Sequence, residues 1–362
     1  MKGINTGFWQ GKRVLVTGHT GFKGSWLSIW LRELGAEVFG YALAPQTEAD
    51  NYILCGLEHQ IPEVRGDLRN TALLEQAVQR YHPDIIFHLA AQPLVRRSYI
   101  EPQLTYETNL MGSLNVLEAA RKADCVRAAV MITTDKCYEN RGSTQGYRET
   151  DPMGGYDPYS SSKGCAELMI ASYRRSFCQH GGTGKCTMAV ASARAGNVVG
   201  GGDWSEDRLI PDCIRAIEAG KPVCLRNPAA VRPWQFVLEP LRGYLMLAEA
   251  LWNEPKKRVG GWNFGPDPAQ MASVREMARE LILHYGEGKI ECHAETDCLH
   301  EDHILLLDST KSKEQLGWQP CLSLTETLCW TAEWYREYRR KEPLEICRRQ
   351  IHQFEELCDV RL

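Results

Sequence analysis

Between Lys12 and Ala42 the chain alternates in a way that leaves little freedom of fold. Lys12-Arg13-Val14-Leu15-Val16-Thr17 is a short β-branched run, the pattern of a strand buried on both faces. It ends at Gly18-His19-Thr20-Gly21-Phe22-Lys23-Gly24, and a helical apolar pattern follows from Ser25 to about Leu34. Gly35 supplies a helix stop, and Glu37 to Ala42 reads as a second strand. A strand, glycine turn, helix and strand within about thirty residues is the setting in which a dinucleotide's diphosphate reaches the amides of a helix N-terminus. A side chain at Gly18 or Gly21 would obstruct that approach, and Gly24 lets the helix pack closely on the sheet. The spacing is G-x-x-G-x-x-G rather than G-x-G-x-x-G. After the second strand, Ala42-Leu43-Ala44-Pro45 holds neither an acid for an adenosine ribose nor an arginine for a 2′-phosphate, so the residues leave NAD and NADP open.

The alternation continues. Strands are expected at 61–65, 84–89, 126–133 and from Cys186 to Ala193, and helices at 71–81 and 109–123. This predicts an α/β fold, a doubly wound parallel sheet of the Rossmann type, with ligands beyond the strand C-termini. Residues 1–193 would form the dinucleotide-binding domain, with a returning segment at about 231–260. Residues 194–230 and 261–362 would form a smaller, substrate-facing domain. Its loops are rich in Gly, Pro and Trp, with helices expected at 211–219, 240–252, 274–284 and 324–340.

Composition removes other classes. A net charge of −4 with interspersed signs argues against a nucleic-acid surface. No apolar run approaches the roughly eighteen residues of a membrane helix, and the first ten residues lack the apolar core of a signal peptide, so a cytoplasmic protein is expected. Fourteen cysteines form no C-x-x-C pair and read as reduced thiols. The cluster Cys292, His293, Cys298, His300 and His303 lies among Glu295, Asp297, Glu301 and Asp302 without metal-ligand spacing; it reads as a polar loop, and no metal is expected.

Two stretches carry chemistry. In Tyr159-Ser160-Ser161-Ser162-Lys163, a tyrosine and a lysine four apart on a helix share one face. A nearby ammonium favours the phenolate, which lets a phenol act as a base closer to neutrality. Thr134, Asp135 and Lys136 sit at a strand C-terminus, where a doubly wound sheet gathers its ligands.

Taken together, Thr17-Gly18-x-x-Gly21-x-x-Gly24, Asp67-Leu68, His88-Leu89-Ala90-Ala91, Asn109, Thr133-Thr134 and Tyr159-x-x-x-Lys163 resemble the extended short-chain dehydrogenase/reductases, in that family's order and spacing. Arg194-Ala195-Gly196-Asn197-Val198-Val199-Gly200 is similar to the R-x-x-N-x-x-G-P segment of the nucleotide-sugar branch, with Gly201 where proline is usual. Arg232-x-Trp234-x-x-Val237-x-Glu239 resembles R-D-W-x-x-V-x-D, with Pro233 and Glu239 as departures. With the stretch Thr17 to Trp26, the pattern looks most like the CDP-glucose 4,6-dehydratases of the nucleotide-sugar 4,6-dehydratase branch, from about Lys12 to the C-terminal helices.

The resemblance implies a lyase that converts CDP-glucose to CDP-4-keto-6-deoxyglucose and water, on the route to dideoxysugars and O-antigens. Gly18, Thr20, Gly21, Phe22, Gly24, Asp67, Leu68, Ala90, Asn109, Tyr159 and Lys163 would hold NAD, and Asn197, Arg208 and Arg232 the substrate. Tyr159 would take the 4-hydroxyl proton as hydride leaves C4, with Lys163 lowering the phenol's pKa and Thr134 bonded to the 4-oxygen. Water would then leave across C5 and C6, and the hydride would return to C6. Related dehydratases follow the threonine with Asp-Glu, acid and base; here Lys136 replaces the Glu. A lysine serves at C5 either as a base of depressed pKa or as a fixed charge beside the enolate, and a charged Lys136 would make Asp135 a poorer acid. Trp204 and Trp234 could flank the base. Rival readings are a nucleotide-sugar 4-epimerase, which needs no acid after Thr134, and a non-catalytic dinucleotide sensor. A homo-oligomer, dimer or tetramer, would pair helices near Met111–Ala123 and Ala166–Phe177, as in the superfamily.

Overall fold

A computed structural model describes residues 4–143, 145–178, 188–292 and 305–361. Seven strands build one parallel sheet: β1 (Arg13–Thr17), β2 (Glu37–Ala42), β3 (Glu63–Arg65), β4 (Ile85–His88), β5 (Ala128–Ile132), β6 (Ala189–Arg194) and β7 (Gly260–Asn263). Their order is β7-β6-β5-β4-β1-β2-β3, every pairing parallel. The chain reverses direction across the sheet between β1 and β4, so a crevice opens beyond Thr17 and His88, which are paired in register. Val14, Leu15 and Val16 are wholly buried, as a strand covered by helices on both faces requires.

The first unit forms where the sequence places it. The helix after the glycine turn spans Phe22–Glu33 and starts three residues earlier than its apolar pattern suggests. Gly18 has φ +73° and its missing Cβ would fall 2.7 Å from the Ala90 amide nitrogen; at Gly24 a Cβ would overlap the Gly18 carbonyl. Gly21 is different, because a Cβ there would meet protein only at ordinary contact distance. Nothing in the protein demands a glycine at 21, which is what a position kept clear for an incoming ligand looks like.

The helix Gly112–Ala123 extends back through Glu107–Met111 to Pro102–Tyr106, a longer rod than 109–123. Part of the expected strand at 186–193 lies outside the described residues, and so do His293, Cys298, His300 and His303 of the polar loop. Beyond β6 the chain builds three small two-stranded sheets: Val198–Val199 with Gln235–Phe236, Val231–Pro233 with Met271–Ser273, and Val223–Leu225 with Ile290–Cys292. Helix Leu238–Asn253 then returns to the main sheet, and β7 pairs with β6 as its edge. The C-terminal helix Pro343–Arg361 packs back on Phe22–Glu33, with Phe354 edge-on to Trp30. One expectation is corrected: Cys321 and Cys358 are joined in a disulfide instead of standing as free thiols, because the C-terminal helix carries Cys358 onto the 321 loop. Among the described residues no helix is long and apolar enough to cross a membrane.

Candidate active site

Strand β5 delivers Thr133 to Lys136 to the C-terminal edge of the sheet. The chain there makes one tight turn, Asp135–Cys137, with Thr134 as its cap. The Thr134 hydroxyl donates to Asp135 Oδ1 at 2.9 Å, and the Lys136 amide donates to the same oxygen at 2.9 Å. Asp135 is 4% exposed, and Gly196 has no side chain because the Asp135 carboxylate fills the space a Cβ would take. Burial raises the Asp135 pKa, and the opposing pulls of Lys136, the Thr134 hydroxyl and Arg232 do not cancel it.

The facing helix is Pro158–Tyr173. Asp157 caps it by accepting the Ser160 amide at 2.9 Å, and Pro158 sits where a missing N–H does no harm. This start fixes Tyr159 in the first turn and Lys163 one turn on. The Tyr159 phenol hydrogen-bonds to Thr134; burial pushes it up to about 12, against the Thr134 bond and the Arg208 charge. Lys163 is pushed down to about 8 by burial and by the charge of Lys23, and its ammonium donates to the Ile132 carbonyl at 3.3 Å. The groups acting on the phenol are thus Thr134, Asp135, Arg208 and Asp157, while Lys163 is turned toward the strand end.

Beneath this pair lies a buried network. Glu167, one turn beyond Lys163, accepts from Arg194 at 2.7 Å, Thr133 at 2.5 Å and Ser192 at 2.7 Å. Burial opposes its charge, but Arg194 and the two hydroxyls hold its pKa below the ordinary value. Arg194 also donates to the Tyr138 hydroxyl, which donates to Asn263 at 2.8 Å. The helix Pro158–Tyr173 is therefore tied to the ends of β5, β6 and β7 at once, with Arg194 of the R-x-x-N motif bonded to it from below.

A cavity of about 630 Å³ opens over these groups, within the usual range for a small-molecule site. Thr134, Asp135, Lys136 and Tyr159 line one part of it, and Asn197, Arg208 and Arg232 line another. Seven of the eight side chains expected to act on or bind the substrate line it, and Lys163 does not. Asn197 holds a left-handed backbone, φ +49°, and Arg208 pairs with Asp203 at 3.1 Å. Trp234 lines the cavity with its indole N–H on the Ala272 carbonyl, whereas Trp204 packs on Tyr335 and Tyr338.

The residues expected to hold a dinucleotide divide. Gly18, Gly21 and Phe22 form the turn at the start of a twelve-residue helix, whose first amides have no partners within the helix. Ala90 closes the turn from β4, and Thr20 fixes it by donating to the Leu43 carbonyl at 3.1 Å. Asp67 is half-exposed and paired with Arg69 in an open hollow with Asn70, Glu107 and Asn115; Leu68 is buried beneath Gly112. These fit a diphosphate at the turn and an adenosine toward β2 and β3. Asn109 is wholly buried, and its carboxamide bonds Gln92 at 2.8 and 3.1 Å and Ser162 at 2.9 Å, so it positions the β4 loop against the helix Pro158–Tyr173. One side chain was missed: Lys23, in the glycine turn, also lines the cavity, and its burial among charges pushes it down to about 8. A charged residue inside a glycine turn was the available signal.

Residues 15–330 match the model of the family described as GDP-mannose 4,6 dehydratase. The chain is 46% identical over 352 residues to a CDP-glucose 4,6-dehydratase of Salmonella typhimurium, covering 97% of this chain and 98% of the relative. Among solved structures, a dTDP-glucose 4,6-dehydratase from Streptomyces venezuelae with NAD bound superposes with a TM-score of 0.75 at 28% identity, covering 92% of this chain and 99% of that one. A UDP-glucose 4-epimerase from Thermus thermophilus in complex with NAD gives 0.76 at 26% identity, over 90% and 99%.

Proposed function

The chain belongs to the GDP-mannose 4,6-dehydratase family of extended short-chain dehydrogenase/reductases, and from there we propose that it converts CDP-glucose to CDP-4-keto-6-deoxyglucose and water. The observation that carries this reading is Asp135. A buried acid whose pKa is raised, hydrogen-bonded to Thr134 at the cavity wall, suits the protonation of a leaving hydroxyl and has no task in an epimerisation.

NAD, which the glycine turn of Gly18, Gly21 and Phe22 would hold, would supply the hydride-accepting and hydride-donating chemistry that a C4 oxidation and a C6 reduction need. Tyr159 takes the proton of the 4-hydroxyl, and the Thr134 hydroxyl steadies the same oxygen. The Thr134 hydrogen bond and the Arg208 charge offset part of the penalty that burial sets on the phenolate, while Lys163, one helical turn away and pushed down to about 8, donates to the Ile132 carbonyl. The 4-ketone acidifies the C5 proton. Lys136, half-buried in the cavity wall, acts at C5 as base or as fixed positive charge, and Asp135 gives its proton to the 6-hydroxyl as the C6–O bond breaks. Asn197, Arg208 and Arg232 take the nucleotide diphosphate, for which guanidinium geometry is suited. The cofactor half at 1–193, the return near 231–260 and the substrate part at 194–230 and 261–362 divide these tasks. A cytoplasmic homo-oligomer belongs to the same proposal; Met111 and Leu168, exposed on the helices expected to pair, support it.

The test is incubation of the protein and NAD with CDP-, dTDP-, UDP- and GDP-sugars, followed by absorbance in alkali, where a 4-keto product forms an enolate chromophore. We expect the chromophore with CDP-glucose. An inverted sugar with no chromophore would establish the epimerase reading instead.

A further inference from the structure

Lys23 stands in the first turn of the helix Phe22–Glu33, next to the glycines that would receive a cofactor diphosphate. Its side chain goes elsewhere. It lines the cavity with Asp135, Tyr159 and Arg208, a cavity whose wall includes neither Gly18 nor Gly21. The charges it feels are those of Arg208, Asp135 and Asp203, more than one hundred residues along the chain, together with Lys163.

That ammonium lacks a counter-ion. Among the described residues it makes no ion pair within 4 Å, although it is half-buried and its surroundings disfavour its charge. Three of the four arginines of the same cavity bring carboxylates with them: Arg208 is on Asp203 at 3.1 Å, Arg226 on Asp207 at 2.8 Å and Arg96 on Asp207 at 3.8 Å. A guanidinium already satisfied by a carboxylate offers an incoming dianion less than a cation with nothing to give up. Among the described residues, six cationic and four carboxylate side chains line the cavity, so a surplus of positive charge awaits an anion there. A desolvated ammonium held without a partner is an unfavourable arrangement unless a ligand supplies one.

We propose that Lys23 is a substrate-binding residue, reaching out of the cofactor turn so that its ammonium holds the diphosphate of the nucleotide sugar beside Arg208. This rests on the nucleotide-sugar reading above. It makes one turn of helix serve two ligands: backbone amides for the cofactor, and the Lys23 side chain for the substrate. Bound together, the two ligands would then be held in register by a single rigid element.

The experiment compares Lys23→Met and Lys23→Arg with the unaltered protein in calorimetric titrations with CDP and, separately, with NAD. We expect Lys23→Met to weaken CDP binding about tenfold, the loss to shrink at high salt, NAD binding to change less than twofold, and Lys23→Arg to recover most of the CDP affinity. Unchanged CDP affinity in Lys23→Met overturns the proposal, as does a loss confined to NAD, which would assign the ammonium to the cofactor's diphosphate. Thermal unfolding of both variants separates a folding defect from a binding one. If the unaltered protein binds dTDP or UDP instead of CDP, the cytidine reading fails while the Lys23 comparison is read with that nucleotide unchanged.

Discussion

Asp135 accepts the Lys136 amide at 2.9 Å and sits next to that residue's ammonium, yet it holds its proton more firmly than a free aspartic acid. Burial decides the matter: the carboxylate loses more solvation than Lys136, Thr134 and Arg232 give back. The chain thus keeps an acid beside a cation, which the two residue types alone argue against. The shift also sets a direction for pH. An acid catalyst of raised pKa is competent below that pKa and is lost as pH rises through it, so the elimination step should fall on the alkaline side of a pKa above the ordinary aspartate value of 3.8. Asp135→Asn, which keeps the fit against Gly196, should slow elimination about 10²- to 10⁴-fold, flatten that limb and leave C4 oxidation measurable as reduced-nicotinamide absorbance. Equal loss of both steps would remove Asp135 from the role of acid.

The role proposed for Lys136 at C5 has its own readout. In Lys136→Ala, oxidation at C4 should persist while exchange of the C5 proton with solvent deuterium slows by about a hundredfold or more. Mass spectrometry of recovered substrate and product in D2O measures it. Exchange at the unaltered rate would refute a role at C5.

Tyr159→Phe removes the proton acceptor and leaves a ring of the same shape in the buried first turn of its helix. Turnover should drop by about 10³-fold with unfolding temperature and CDP affinity nearly unchanged. Thr134→Val should lose less, because it deletes the hydroxyl's hydrogen bonds to Tyr159 and Asp135 and not the base.

How far the sequence reaches is set by how local the determining contacts are. β1, the glycine turn, the second strand and helix Thr71–Tyr81 follow from patterns within a few residues, and they stand within a residue or three of their expected places. Helix Pro343–Arg361 has a charged surface and a narrow apolar seam, so its pattern is weak; what holds it is packing on Phe22–Glu33, more than three hundred residues away. Lys23 escaped for the same reason, since a lysine at a helix start looks solvated until the 135, 203 and 208 segments fold over it. Asn109 marks a second limit of the same kind. Its position in a motif was legible, but whether a carboxamide faces a ligand or the interior depends on Gln92 and Ser162.

The Glu167–Arg194 pair predicts a loss of stability without any contact to substrate. Glu167→Gln leaves the Arg194 guanidinium buried beside a neutral group, and removal of one partner from a buried pair costs about 3–5 kcal/mol. Its folded pKa is depressed, so the stabilisation is present above the unfolded value of 4.5 and fades as pH falls through the lower folded one. Urea unfolding at pH 7 should show the loss, and the difference between the two proteins should narrow below pH 4.5.

Glu239 titrates with the opposite sign. Its Oε1 accepts the Cys321 and Leu322 amides at 2.8 and 2.7 Å, while its other oxygen is buried without a partner, and burial raises its pKa to about 7. The folded protein therefore prefers Glu239 protonated. Stability should be fullest below the unfolded value of 4.5, decline as pH rises toward 7, and stay reduced above it, a loss of about 3 kcal/mol from this group. Glu239→Gln keeps an acceptor for both amides and cannot ionise. Its unfolding temperature should match the unaltered protein near pH 5 and exceed it at pH 8. If the two proteins lose stability in parallel across that range, the decline belongs to another group and Glu239 is ionised inside the fold without penalty.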